Sequence, residues 1–208
     1  MDYQNKSSGA NEENFSNTHV SESEDVKKGI LTTLHDLVAL LAGILMIFSL
    51  CFRIVIVSGP SMNNTLMDGD WILLISNVFY RDIGRGDIIV ASKDDFKDGE
   101  PIIKRVIATE GQMVDIDFHR GIVYVDGVAL DEPYALSPTY MSEGVSFPII
   151  VDSGCVFVMG DNRNNSKDSR SNEIGLIDKR EIIGKAVFIL FPGRNDLEQR
   201  EFNRIGGL

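Results

Sequence analysis

The chain has 208 residues, 43% of them hydrophobic, and a formal net charge of -11. That length allows one good-sized core plus a membrane helix. The negative balance and the lack of a basic patch exclude nucleic acid, whose phosphates an acidic surface would repel, so the acidity serves solubility. The two cysteines exclude a disulfide framework, since Cys51 sits in an apolar segment and Cys155 opens a strand-like run. Both read as small apolar residues.

In chain order, residues 1–29 are polar, rich in Asn, Ser and Glu, and without apolar period, which predicts a disordered tail. A membrane helix is expected over 30–53. Residues 37–52 carry no charge and their apolar character continues on both sides, so the roughly 20 residues a bilayer requires are present. Asp36 then lies near one interface and Arg53 snorkels at the other. The long polar tail and the lack of a small-x-small cleavage site argue against a cleaved signal sequence. Lys27 and Lys28 precede the span and only Arg53 closely follows it, which puts the tail in the cytoplasm and residues 54–208 outside.

The outer part is expected to be mainly β. Short β-branched or aromatic runs at 54–57, 71–75, 87–92, 102–109, 114–118, 122–125, 155–159 and 182–191 alternate with Gly, Asp and Asn turn signals. Asp126-Gly127 between two apolar runs is a type I′ hairpin signal. The irregular, proline-bearing stretch beyond it makes residues 118–149 a small insertion on the β-domain.

Three segments carry chemistry. Ser58-Gly59-Pro60-Ser61-Met62-Asn63-Asn64-Thr65-Leu66 leaves a strand and enters a turn, which exposes the Ser61 hydroxyl at a strand end. A serine needs a base within hydrogen-bond reach. The three histidines fall in the tail (His19), the apolar run (His35) and a hairpin turn (His119). Lys104 is the alternative base: in a strand it shares a face with Ile102 and Val106, opposite Ile103, Arg105 and Ile107. A lysine between apolar neighbours on a core-facing surface is rare unless it has a task, and desolvation there disfavours its ammonium form. A solvent-facing lysine on an edge strand is the competing reading. The third segment, 156–170, is the densest polar cluster. As an EF-hand starting at Asp161 it fails, because Ser166 stands where Gly is needed and Asn172 where a carboxylate is needed. Its Asp161, Arg163, Asp168 and Arg170 are instead expected to form paired charges that fix the backbone, with Ser166 hydrogen-bonding and aiming the lysine amine.

These segments, with Arg85-Gly86-Asp87-Ile88-Ile89-Val90 between them, resemble the bacterial type I signal peptidases, in particular their compact Gram-positive type. The resemblance runs from the apolar segment to about Phe191, and the 160–170 run is its most specific part. It implies a β-rich catalytic domain with a Ser/Lys dyad, anchored by an N-terminal transmembrane helix. Ser61 would be the nucleophile and Lys104 its general base; Ser166 would orient Lys104, while Asp161, Arg163, Asp168 and Arg170 hold the site together. The Ser61 N–H would serve the oxyanion. Secreted preproteins would be the substrates, laid as an extended strand along the runs that contain Ile56, Ser58, Ile102 and Ile103, and no metal or organic cofactor is implied. The chain departs from the family at Asn64, where proline is usual, and at Ala108, where Gly is common. It carries Gly59 where some members place a second oxyanion donor. Two rival readings are a self-cleaving repressor of the LexA type, disfavoured by the apolar span, and an inactive anchored scaffold that binds peptides, disfavoured by the joint presence of Ser61, Lys104 and Ser166.

Overall fold

The computed structural model describes residues 9–208 except Val78, Arg81, 94–95, 97–98 and 195–198, and only the backbone of residues 9–26. The chain divides into two units, 1–49 and 50–208. The first is a helix, α1, Gly9–Cys51. Its Lys27–Cys51 part contains an 18-residue stretch with a mean hydropathy of 2.2 and is long and apolar enough to cross a membrane. The helix starts well before the expected span, so residues 9–29, expected to be disordered, continue as helix. No proline interrupts this stretch, and once the apolar part has nucleated a helix each added turn is cheap. The first eight residues of the expected tail lie outside the described residues.

The second unit is β. Its strands are β1 (Phe52–Ile56), β2 (Trp71–Ser76), β3 (Ile88–Ala91), β4 (Ile102–Thr109), β5 (Met113–Asp117), β6 (Ile122–Val125), β7 (Val128–Ala129), β8 (Ile149–Ile150), β9 (Cys155–Met159), β10 (Ile177–Asp178), β11 (Ile182–Phe191) and β12 (Gly206–Gly207). One antiparallel sheet has the order β1-β2-β11-β3-β4-β9-β10, with β12 beside β11; a smaller one has the order β7-β6-β5-β8. The expected runs all appear, each within two residues of its predicted ends. Strand β1 begins at Phe52 rather than after Arg53, because residues 52–56 pair in full with 71–75 of β2.

Asp126 and Gly127 take φ of 52° and 78°, the pair of positive angles a type I′ turn demands. The insertion is wider than expected, since β5 and β8 belong to its sheet and it runs from Met113 to Ile150. The short strands β8, β10 and β12 give no alternating pattern and were not legible in the sequence.

Three apolar clusters fill the β-unit. Val57, Met62 and Leu66 pack with Ile72, Leu74 and Val90 in the first; Ile89, Val106 and Val158 with Ile177 in the second; Ile107, Val114, Val123 and Phe157 in the third. Met62 and Leu66 matter most for function. They flank the turn after β1 and root it in the core, so the residue before Met62 is held against a rigid base.

Candidate active site

The turn after β1 closes on itself. The Val57 N–H donates to the Asp70 carbonyl at 2.8 Å and the Gly69 N–H to the Val57 carbonyl at 2.9 Å. Inside that bracket, Asn63, Thr65 and Leu66 N–H groups fold back on the carbonyls of Pro60 and Met62. Gly59 enters the turn at φ 84°, a conformation open to glycine, and its N–H donates to the Asp68 carboxylate at 2.7 Å. That bond commits the Gly59 N–H to Asp68. Asn64 sits at φ 89°. A proline ring fixes φ near −65° and cannot adopt that angle, whereas Asn tolerates it. The departure from the usual proline thus goes with a different local backbone.

Strand β4 brings Lys104 to this turn. Its side chain is 4% exposed, which excludes the solvent-facing alternative. Nζ lies 3.0 Å from Ser61 Oγ and donates to the Ile103 carbonyl at 3.0 Å. Both residues line a cleft of about 640 Å³, together with Ile56, Ser58, Ile102, Ile103 and Ser166. Strand β9 pairs with β4 only from Arg105, opposite Met159, so residues 102–104 are paired on the β3 side and, among the described residues, have no strand on the other. Strand β1 likewise ends its sheet, with no strand on its outer edge among the described residues. An extended peptide can therefore hydrogen-bond to exposed backbone edges in the cleft.

The loop after β9 forms the site's third side. Asn162 N–H donates to the Ser61 carbonyl at 3.0 Å and its side-chain amide to the Pro60 carbonyl at 3.1 Å. Gly160 permits that approach: a Cβ there would lie 2.5 Å from the Ser61 carbonyl oxygen and 2.2 Å from Ser166 Oγ. Asp168, fully buried, binds Arg170 through both oxygens at 2.8 Å and accepts from the Gly160 N–H and the Ser166 hydroxyl, each at 2.9 Å. Because the Ser166 hydroxyl donates to Asp168, its oxygen keeps the capacity to accept a hydrogen bond, which is what the expected contact with the lysine amine requires.

All four expected charges are paired: Asp168 with Arg170, and Asp161 and Arg163 each with a partner outside the loop. Asp161 pairs with Arg105, Nε to Oδ1 at 2.8 Å and Nη2 to Oδ2 at 2.7 Å, and also accepts from the Thr65 hydroxyl at 2.5 Å. Arg163 forks onto Glu132 at 2.5 and 2.7 Å and donates to Thr139 and the Gly160 carbonyl. Burial opposes the Arg163 charge, yet the Glu132 carboxylate raises its pKa above the ordinary arginine value. Tyr134 joins the two systems. Its ring lies 4.1 Å from the Arg105 guanidinium and its hydroxyl donates to Glu132 at 3.0 Å, while burial and then the Glu132 charge push that hydroxyl's pKa up to about 12.

Sequence reasoning thus missed Thr65, Arg105, Glu132, Tyr134 and Gly160. Arg105 was findable, since the argument applied to Lys104 covers any charged residue in that apolar strand. Glu132 and Tyr134 lie in an irregular stretch whose sequence gives no period to read. Among the described residues no group of three His, Cys, Asp or Glu side chains is placed to hold a metal. Both cysteines are free and half-buried.

A family profile described as signal peptidase, peptidase S26, matches residues 4–191. Signal peptidase I of Bacillus licheniformis is 35% identical over 156 residues, 71% of this chain and 81% of its own length. Signal peptidase I S of Bacillus subtilis strain 168 is 33% identical over 181 residues, 83% of this chain and 95% of its own length. A probable signal peptidase I-1 of Synechocystis is 41% identical over 145 residues, 65% of this chain and 69% of its own. A solved signal peptidase I from Enterococcus faecalis V583 is 25% identical, covering 50% of this chain and 97% of that one, with a TM-score of 0.42.

Proposed function

This chain belongs to the signal peptidase family, peptidase S26, and from that premise we propose that it is a membrane-anchored serine endopeptidase that removes signal peptides from secreted preproteins. The observation that carries the mechanism is the 3.0 Å approach of Lys104 Nζ to Ser61 Oγ at the wall of a cleft with unpaired strand edges. The neutral Lys104 amine takes the Ser61 proton as Oγ attacks the carbonyl carbon before the scissile bond. The Ser61 N–H, which has no acceptor among the described residues, faces the developing oxyanion. The resulting ammonium returns its proton to the leaving amine, an ester forms on Ser61, and water activated by the same amine hydrolyses it. Ser166 orients the amine, and the buried Asp161, Arg163, Asp168 and Arg170 hold the two loops together. Ile56, Ser58, Ile102 and Ile103 line the path of the peptide strand, where short side chains are accepted before the cut.

The helix fits a single span with the polar segment before Lys27 in the cytoplasm and the β-unit outside. Protease added to intact, wall-stripped cells is expected to digest the part after Arg53 and to spare the segment before Lys27; the reverse pattern would refute the secretory assignment. The activity is tested by incubating the purified protein with a preprotein and sequencing the product's new N-terminus. Cleavage after a short side chain at the end of the signal sequence is expected, and an intact preprotein would leave the proposal without its reaction.

A further inference from the structure

The turn that carries Ser61 is also held from the far end of the chain. Asp70, fully buried, closes that turn by accepting from the Met67 N–H at 2.8 Å and from the Gly193 N–H at 2.7 Å. Both of its oxygens meet Arg204 as well, Nη1 to Oδ1 at 3.0 Å and Nη2 to Oδ2 at 2.6 Å. The same Nη2 donates to the Thr65 carbonyl at 3.1 Å. Arg204 ends the short 3-10 turn Phe202–Arg204, and β12, which starts two residues on at Gly206, is paired with β11. Its guanidinium therefore rests on a fixed support and is itself largely buried, 13% exposed against none for Asp70.

Thr65 is the point where this grip reaches the chemistry. Its carbonyl is held by Arg204, and its hydroxyl is held by Asp161 and Arg105. Asp161 begins the loop whose next residue bonds the Ser61 carbonyl. The family profile stops at residue 191, short of the segment that supplies Arg204. We infer that Arg204 is a positioning residue for the nucleophile: its fork on Asp70 and Thr65 fixes the turn that presents Ser61 Oγ to Lys104. A planar, bidentate guanidinium suits that task, because it ties two carboxylate oxygens and a carbonyl at fixed angles, whereas an ammonium acts as a point charge. The inference rests on Ser61 being the nucleophile.

The test compares Arg204→Ala and Arg204→Lys with the unmodified protein and with Ser61→Ala, all as full chains, in kcat, KM, pH profile and melting temperature. Because small misplacements of a reacting group cost a great deal of rate, Arg204→Ala is expected to lower kcat by about tenfold or more while KM and the acidic limb of the profile stay put. Arg204→Lys should recover part of the loss. A merely structural role predicts something else: general loosening would let water reach Lys104 and move the acidic limb to higher pH along with the loss of rate. That result overturns the inference, as does a kcat for Arg204→Ala within about twofold of the unmodified protein. If Arg204→Ala does not fold, Arg204→Lys decides alone: a lowered kcat at an unmoved limb supports the inference, and an unchanged kcat overturns it. Ser61→Ala separates the two layers. If it is inactive while Arg204→Ala is fully active, only the inference fails; if Ser61→Ala still cleaves, the nucleophile assignment fails and the inference falls with it.

Discussion

Replacing Ser61 or Lys104 by alanine is expected to abolish preprotein cleavage while leaving the protein folded and membrane-bound. In the proposed mechanism the two act as one unit across 3.0 Å, so each single loss would remove the whole proton-transfer step. A fall of about 10,000-fold or more is expected for either change, and the double variant should be little worse than the singles. Folding should survive because neither side chain is part of the apolar clusters around the site. The pH dependence follows with a definite sign. If Lys104 is the base, its active form is the neutral amine, so rate should be present at higher pH and lost as falling pH protonates it. Steady-state kinetics of the singles, the double and the unmodified protein, with melting temperatures alongside, test this directly. Additive losses in the double variant would show that the two residues do not act together, and the search for the base would reopen.

How much of this was readable beforehand depended on the kind of signal each residue gives. Lys104 was legible because a strand has period two and an ammonium between Ile102 and Val106 breaks the apolar face. Its burial at 4% agrees with that reading. The hairpin at Asp126-Gly127 was legible because few residue pairs take two positive φ angles. Partner choice was not legible. Asp161 and Arg163 were expected to be paired without a named partner, and each finds its counter-ion in another segment, Arg105 of β4 and Glu132 of the insertion. Charge tells that a buried ion needs a partner and says nothing about which distant segment supplies it. The same limit hid Arg204, whose partner Asp70 lies 134 residues away in sequence. The insertion, which composition alone marked as a loop-rich appendage, proves through Glu132 and Tyr134 to be tied to the guanidinium groups behind the site.

Gly160→Ala is expected to damage activity severely although it adds a single methyl group. The added Cβ would fall 2.5 Å from the Ser61 carbonyl oxygen, 2.5 Å from Ser166 Cβ and 2.2 Å from Ser166 Oγ, distances that real Cβ atoms do not sustain. The backbone oxygen cannot swing aside as a flexible side chain would. Strand β9 must therefore retreat from the nucleophile turn, breaking the 3.0 Å bond from the Asn162 N–H to the Ser61 carbonyl, or Ser166 must leave Asp168. Overpacking of this kind costs about 1–3 kcal/mol of stability, which a domain of this size tolerates at room temperature. Activity should suffer far more, by roughly 100-fold, because either relaxation displaces Ser61 or the Ser166 hydroxyl by about 1 Å. Adding Ser166→Gly would relieve the side-chain half of the clash and leave the contact with the Ser61 carbonyl. The double variant is therefore expected to regain melting temperature without regaining rate. Full activity in Gly160→Ala would mean that close contact between the β9 loop and the nucleophile turn is not needed for catalysis, and the frame described for this site would have to be redrawn around Lys104 alone.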